Sequence, residues 1–126
     1  MAMAAGLAIL RELNSNSAIY TDLHDITTHL VEGLQSQLRA RKIKFTINQV
    51  GSMFTLFFTG TPVIDYETAK SSDTVLFGRF FNAMLARGIY LAPSQYEALF
   101  VSHAIDRNIA KRILEASSDA LDEILK

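Results

Sequence analysis

Ile19, Leu23, Ile26, Leu30, Leu34 and Leu38 recur at steps of three and four, which predicts one long amphipathic helix ending near Arg41. Asp22, Asp25, Glu32 and Gln35 fall between them as its wet face, and Arg39, Arg41 and Lys42 suit its negative end. Asn14-Ser15-Asn16-Ser17 breaks the chain ahead of it, with Ser17 as the expected N-cap. Upstream, residues 3–13 are rich in Ala and Leu, strong helix formers, and are apolar almost all round. A helix of that kind requires cover on more than one side. With no cap residue ahead of it, the expectation is an upstream partner lying outside this sequence. Residues 1–16 are read as the helix that joins that partner, and residues 17–126 as one small domain.

At Ile43 the period changes. Ile43, Phe45 and Ile47 alternate with Lys44, Thr46 and Asn48, predicting a half-buried strand. Met53-Phe54-Thr55-Leu56-Phe57-Phe58 is a second, more fully apolar strand, entered through Gly51-Ser52 and stopped by Gly60-Thr61-Pro62. Residues 65–72 read as a polar surface loop with room for a helical turn. Ser71 or Ser72 is the expected cap of a helix over 73–87 that turns Val75, Leu76, Phe80 and Met84 inward and stops at Gly88. Ile89-Tyr90-Leu91 and Leu99-Phe100-Val101 are short strand candidates flanking a Pro93 loop. Asp106 caps a last helix with Ile109, Ile113, Leu114, Ala120, Leu121 and Ile124 inward. This order predicts an α+β fold, an antiparallel or mixed small sheet with helices packed on one face.

The 126 residues are 49% hydrophobic, enough for a single core. The net charge of −1 is spread without blocks, which argues against a nucleic-acid surface or a polybasic membrane patch. There is no cysteine, so disulfides and thiolate metal sites are excluded and a reducing cytoplasm fits. No apolar run approaches the roughly 20 residues that span a bilayer. The apolar first ten residues lack a basic leading region and meet Arg11 and Glu12, so they read as helix and not as a signal peptide.

Candidate chemistry is sparse. No phosphate-cradling glycine motif is present. His24 and His29 are five apart, off a common helical face, and read as helix histidines instead of a metal pair. Ser102, His103 and Asp106 are adjacent in sequence, which does not make a triad; cap and turn chemistry explains them better. Phe77, Phe80, Phe81 and Met84 form an aromatic stripe read as core. Arg79 and Arg87 could grip a carboxylate, although solvated helix arginines are commoner. Pro93-Ser94-Gln95-Tyr96-Glu97 remains open between an ordinary loop and a scaffold for polar contacts.

Several runs resemble the C-terminal small domain of the glutamate-1-semialdehyde 2,1-aminomutase family, within the class III pyridoxal-phosphate aminotransferases. They are Ala2-Met3-Ala4-Ala5-Gly6-Leu7-Ala8, residues 50–58, residues 63–73, residues 80–91 and the 93–97 loop. Gly51-Ser52-Met53-Phe54 and Pro93-Ser94-Gln95 are the most specific. The resemblance implies part of a dimeric enzyme that makes 5-aminolevulinate for tetrapyrrole synthesis with pyridoxal phosphate. The family's cofactor-binding lysine lies upstream, and none of Lys42, Lys44, Lys70, Lys111 and Lys126 stands in its motif. The chain alone is therefore expected to be inactive and not to bind the cofactor, contributing a wall of the substrate cleft and its closure. Glu97 carries over as a polar contact facing substrate, with Ser94 and Gln95 as weaker candidates that shape the loop. After Val101 the chain departs from the family, Ser102-His103-Ala104-Ile105-Asp106 being one residue shorter than in many relatives. The competing readings are a free-standing α+β binding module and the small domain of another class III aminotransferase.

Overall fold

The computed structural model describes all residues, 1–126. Helices α1 (Ala2–Ser15) and α2 (Ala18–Ala40) follow one another with only Asn16 and Ser17 between them. Every residue of α1 up to Leu10 is exposed, and none of the helix is buried. In α2 the expected stripe is real: Ile19, Ile26, Leu30, Leu34 and Leu38 are buried. Ser17 does not cap it. Its backbone is already helical (φ −64, ψ −18), whereas a capping hydroxyl requires an extended residue to reach the free N–H groups of the first turn.

Three strands, β1 (Thr46–Val50), β2 (Met53–Phe57) and β3 (Leu99–Phe100), form an antiparallel sheet in the order β1-β2-β3. Gly51, at φ +57, opens the two-residue turn that sets Val50 opposite Met53. Pairing begins at Thr46 opposite Phe57, so the first strand starts three residues later than the alternation at Ile43 suggests. Ile43 and Phe45 still pack half-buried against the core, which is what their period recorded.

A short α3 (Tyr66–Ala69) carries a capping box between Asp65 and Thr68. The Thr68 hydrogen bonds hold the Asp65 carboxyl below its usual range. Helix α4 (Thr74–Ala86) is capped by Asp73, whose carboxylate accepts from the Leu76 N–H at 2.8 Å. Neither Ser71 nor Ser72 does so: the Ser71 hydroxyl donates to the Thr68 carbonyl, and the Ser72 hydroxyl is buried without a partner. Val75 is a further correction at 74% exposed, because it shares its helical stripe with Arg79 and Asn82, opposite Phe77, Phe80 and Met84. At the other end Gly88 takes φ +77, and Gly88 and Ile89 N–H groups return to Leu85 and Met84 carbonyls, a Schellman stop.

No strand forms at Ile89-Tyr90-Leu91. Ile89 and Leu91 pack half-buried while Tyr90 is exposed, so the alternation is genuine but has no partner strand. Asp106 caps α5 (Arg107–Ile124) as expected, accepting from the Ile109 N–H at 2.8 Å. Ile109 itself lies at the margin of the buried stripe and is 36% exposed.

Helices α2, α4 and α5 cover one face of the sheet. Leu38, Leu56, Phe80, Met84 and Leu121 meet there, with Phe58 and Phe80 rings edge to face at 5.7 Å. Because β2 alternates, Phe57 points to the other face, where Val63 and Ala69 cover it. Across the open half of that face Val50, Met53 and Phe100 are cross-strand neighbours and exposed. No helix is long and apolar enough to cross a membrane.

Candidate functional site

The 93–97 loop is held by β2. Along that strand, alternate carbonyls face away from β1. The Ser52 carbonyl accepts from the Val101 N–H at 2.9 Å, and Phe54 stands opposite Leu99. Two residues further along, a regular ladder would bring residue 97 to the Leu56 carbonyl. Glu97 is not there. Its N–H turns back to the Ser94 carbonyl at 3.1 Å, and Leu56 accepts instead from the Gln95 side-chain Nε2 at 2.7 Å. The next carbonyl of the series, Phe58, takes the Asp73 N–H at 3.0 Å.

Glu97 is thereby displaced from the sheet into a turn. Its backbone is fixed at both ends, since its carbonyl accepts from the Thr55 hydroxyl at 3.3 Å. Its side chain is exposed, and no hydrogen bond or ion pair engages the carboxylate. Ser94 accepts from the Tyr96 N–H through its hydroxyl at 3.2 Å, a local turn bond. Gln95 is buried, and its Oε1 has no donor. The exposed Tyr96 ring lies 5.9 Å from that of Tyr66, the first residue of α3.

Beneath the loop is an apolar cavity of about 40 Å³, lined by Phe54, Leu56, Phe80, Leu91 and Leu99 among others, with Ser94 and Glu97 also on its boundary. Of the three residues expected here, Ser94 and Glu97 thus come together at this boundary, and Gln95 lies behind them as an anchor. Thr55 completes the set and was missed by sequence reasoning; its signal is being the one polar residue within Met53-Phe54-Thr55-Leu56-Phe57-Phe58.

The other sequence candidates do not converge. His24 is exposed and His29 half-buried, and no group of three or more metal-ligating side chains comes together around them. His103 lies 3.8 Å from Asp22, while Asp106 is committed to its cap. Arg87 pairs with Glu123 at 2.8 Å, so it does not act with the exposed Arg79. Phe77, Phe80 and Met84 are buried core, and Phe81 is half-buried against them.

An aldehyde cofactor anchored on lysine needs an amine in a sheltered pocket, since desolvation is what makes the neutral nucleophile available. All five lysines of this chain are exposed. Lys70 pairs with Glu67 at 2.8 Å and Lys111 faces Glu115 at 3.8 Å. The residues present do not fit the anchoring of such a group.

No family model matches the chain. A glutamate-1-semialdehyde 2,1-aminomutase of Cytophaga hutchinsonii is 49% identical over 124 residues, covering 98% of this chain and 29% of that protein. The Myxococcus xanthus protein of the same name is 44% identical over 126 residues, 100% of this chain and again 29% of its own length. The chain therefore spans less than a third of the curated relatives it matches. Among solved structures, an omega-transaminase from Sphaerobacter thermophilus superposes with a TM-score of 0.85 at 23% identity, over 98% of this chain and 28% of that one. A transaminase with pyridoxal phosphate bound gives a TM-score of 0.78 at 18% identity, over 98% of this chain and 27% of that one. At those identities the likeness is one of fold.

Proposed function

Because the chain belongs to the glutamate-1-semialdehyde 2,1-aminomutase family of class III pyridoxal-phosphate aminotransferases, we propose that it is the small C-terminal part of such an enzyme. In this reading the whole enzyme is an isomerase that converts glutamate 1-semialdehyde to 5-aminolevulinate, a step of porphyrin biosynthesis. The observation that carries it is the 49% identity to an aminomutase across 98% of the chain. Pyridoxal phosphate in the rest of the enzyme supplies the electron sink for exchanging the amino and oxo groups.

The part of the work assigned to this chain is binding and closure. Glu97 is the polar contact presented to the substrate; a free carboxylate on a backbone fixed by Ser94 and Thr55 supports that role. Ser94 and Gln95 shape the loop around it. The exposed, apolar α1 supports docking on an upstream cofactor domain. We place the enzyme in the cytoplasm as a homodimer, in keeping with a chain free of cysteine. The chain alone does not turn over substrate.

Two measurements test the reading. The intact enzyme is expected to form 5-aminolevulinate from glutamate 1-semialdehyde; transamination of other substrates in its place would overturn the aminomutase assignment. The isolated chain, mixed with pyridoxal phosphate, reduced with borohydride and weighed by mass spectrometry, is expected to carry no stoichiometric adduct. A single modified lysine would make it a cofactor-binding unit in its own right.

A further inference from the structure

Gln95 occupies a place in the sheet that its own backbone does not. The series of carbonyls on the free side of β2 meets Val101 N–H, then Leu99, then the Gln95 side chain, then Asp73 N–H. A side-chain amide thus stands in for the backbone N–H of residue 97. The bond to Leu56, at 2.7 Å, is short and buried.

The orientation of the amide follows from chemistry. A carbonyl can only accept, so the NH₂ end must face Leu56 and the oxygen must face the other way. That oxygen is buried and finds no donor. A buried acceptor without a partner is unfavourable, so the Gln95 amide carries a cost alongside the bond it makes to Leu56. An apolar residue of the same length would remove that acceptor but would leave the buried Leu56 carbonyl without a donor in its place. What only the amide supplies is the donor that closes the ladder while leaving Glu97 out of it.

We propose that Gln95 is the positioning residue for Glu97: its amide replaces one rung of the sheet, makes β3 start only at Leu99, and holds Glu97 in a turn at the edge of the apolar cavity with its side chain exposed. The assignment of Glu97 as a substrate contact rests on the function proposed above. The positioning itself rests on the hydrogen bonds of the loop.

The test compares Gln95→Met, which keeps length and loses the donor, with Gln95→His, whose ring N–H can still donate, both in the intact enzyme. Gln95→Met removes one unsatisfied acceptor and leaves another, the Leu56 carbonyl, so the two effects oppose and the melting temperature is expected to hold within about 3 °C. Hydrogen exchange of the 94–99 peptide, read by mass spectrometry, is expected to speed by about tenfold in Gln95→Met while that of β1 is unchanged. KM for glutamate 1-semialdehyde is expected to rise by about tenfold at near-constant kcat, as in Glu97→Gln, with Gln95→His restoring most of it. The double variant Gln95→Met/Glu97→Gln is expected to match Glu97→Gln alone, because one residue acts through the other.

Multiplying losses in the double variant, or a Gln95→Met enzyme with unchanged exchange and KM, would overturn the proposal. So would Glu97→Gln with wild-type KM, since nothing would remain to position. If the wild-type enzyme forms no 5-aminolevulinate, the function proposed above fails instead. The exchange experiment then still decides whether Gln95 fixes the loop.

Discussion

Gly33 of α2 and Leu114 of α5 approach so closely that a Cβ on Gly33 would lie 2.6 Å from both Leu114 methyl carbons and 3.2 Å from its Cγ. Glycine inside a helix costs about 1 kcal/mol against alanine, so Gly33→Ala would stabilise an open helix. Here overpacking by about 1–3 kcal/mol opposes that gain. The expected result for Gly33→Ala is a net loss of about 1 kcal/mol, and for Gly33→Val a loss of about 3 kcal/mol. Denaturant unfolding should show a lower midpoint at unchanged slope. A higher midpoint for Gly33→Ala would mean that Leu114 turns aside freely.

The same helix pair is tied further along by charge. Arg41 Nε donates to Asp122 at 2.7 Å and its second nitrogen to the Ser118 hydroxyl at 2.8 Å. The bond raises the Arg41 pKa and holds the Asp122 carboxyl below its usual range. A depressed carboxylate contributes stability that is present above its unfolded pKa, about 3.9, and lost as pH falls through the lower folded value. Asp122→Asn is therefore expected to be less stable than wild type at neutral pH, with the gap closing as pH is lowered from about 5 towards 2. Urea midpoints across that range check it. A gap independent of pH would show that the pair contributes nothing electrostatic, as exposed pairs often do.

At the start of α4 three neighbouring residues make opposite predictions. Asp73→Ala removes the bond to Leu76 N–H and is expected to lower stability by about 1 kcal/mol. Ser72→Ala removes a buried hydroxyl that has no partner, and is expected to be neutral or stabilising. Ser71→Ala loses an exposed bond to Thr68 and a part-buried one to Thr59, whose hydroxyl still accepts from the Thr61 N–H, and should fall between them. Thermal melts of the three variants rank them. If Ser72→Ala proves the costliest, a serine is the working cap and the assignment to Asp73 fails.

Those residues also show what the sequence made legible. Stripes with a clear period were reliable: α2 from Ile19 to Leu38 and the end of α4 at Gly88 lie where their patterns put them. Strands were readable as alternation but not as pairing. Ile43 and Ile89-Tyr90-Leu91 alternate correctly and pair with nothing, because pairing depends on a partner elsewhere in the chain. Caps were ambiguous wherever Ser-Ser-Asp offered several oxygens within three residues, and only the backbone geometry chose among them. At the candidate site Ser94, Gln95 and Glu97 stood out in the sequence, but their division of labour did not. That Gln95 faces inward and Glu97 outward follows from a ladder that breaks at residue 97.

The cavity under the loop gives the last prediction. Its space of about 40 Å³ adjoins Ala92, which is half-buried and precedes Pro93. A residue before proline is confined to extended backbone, a conformation that suits a β-branched side chain. Ala92→Val adds two methyl groups against Phe54, Leu56 and Leu91, which also line the void. Each buried methylene contributes about 0.8 kcal/mol, and imperfect fit reduces the sum, so a gain of about 1 kcal/mol is expected. In a chain of this size that raises the melting temperature by about 4 °C. The same filling should slow hydrogen exchange of the 94–99 peptide, because the loop then rests on packed atoms instead of empty space. A lower melting temperature would show that the void cannot be reached from Ala92 without strain. A higher one with unchanged exchange would mean that the loop is held by Gln95 and Thr55 alone and draws nothing from the core beneath it.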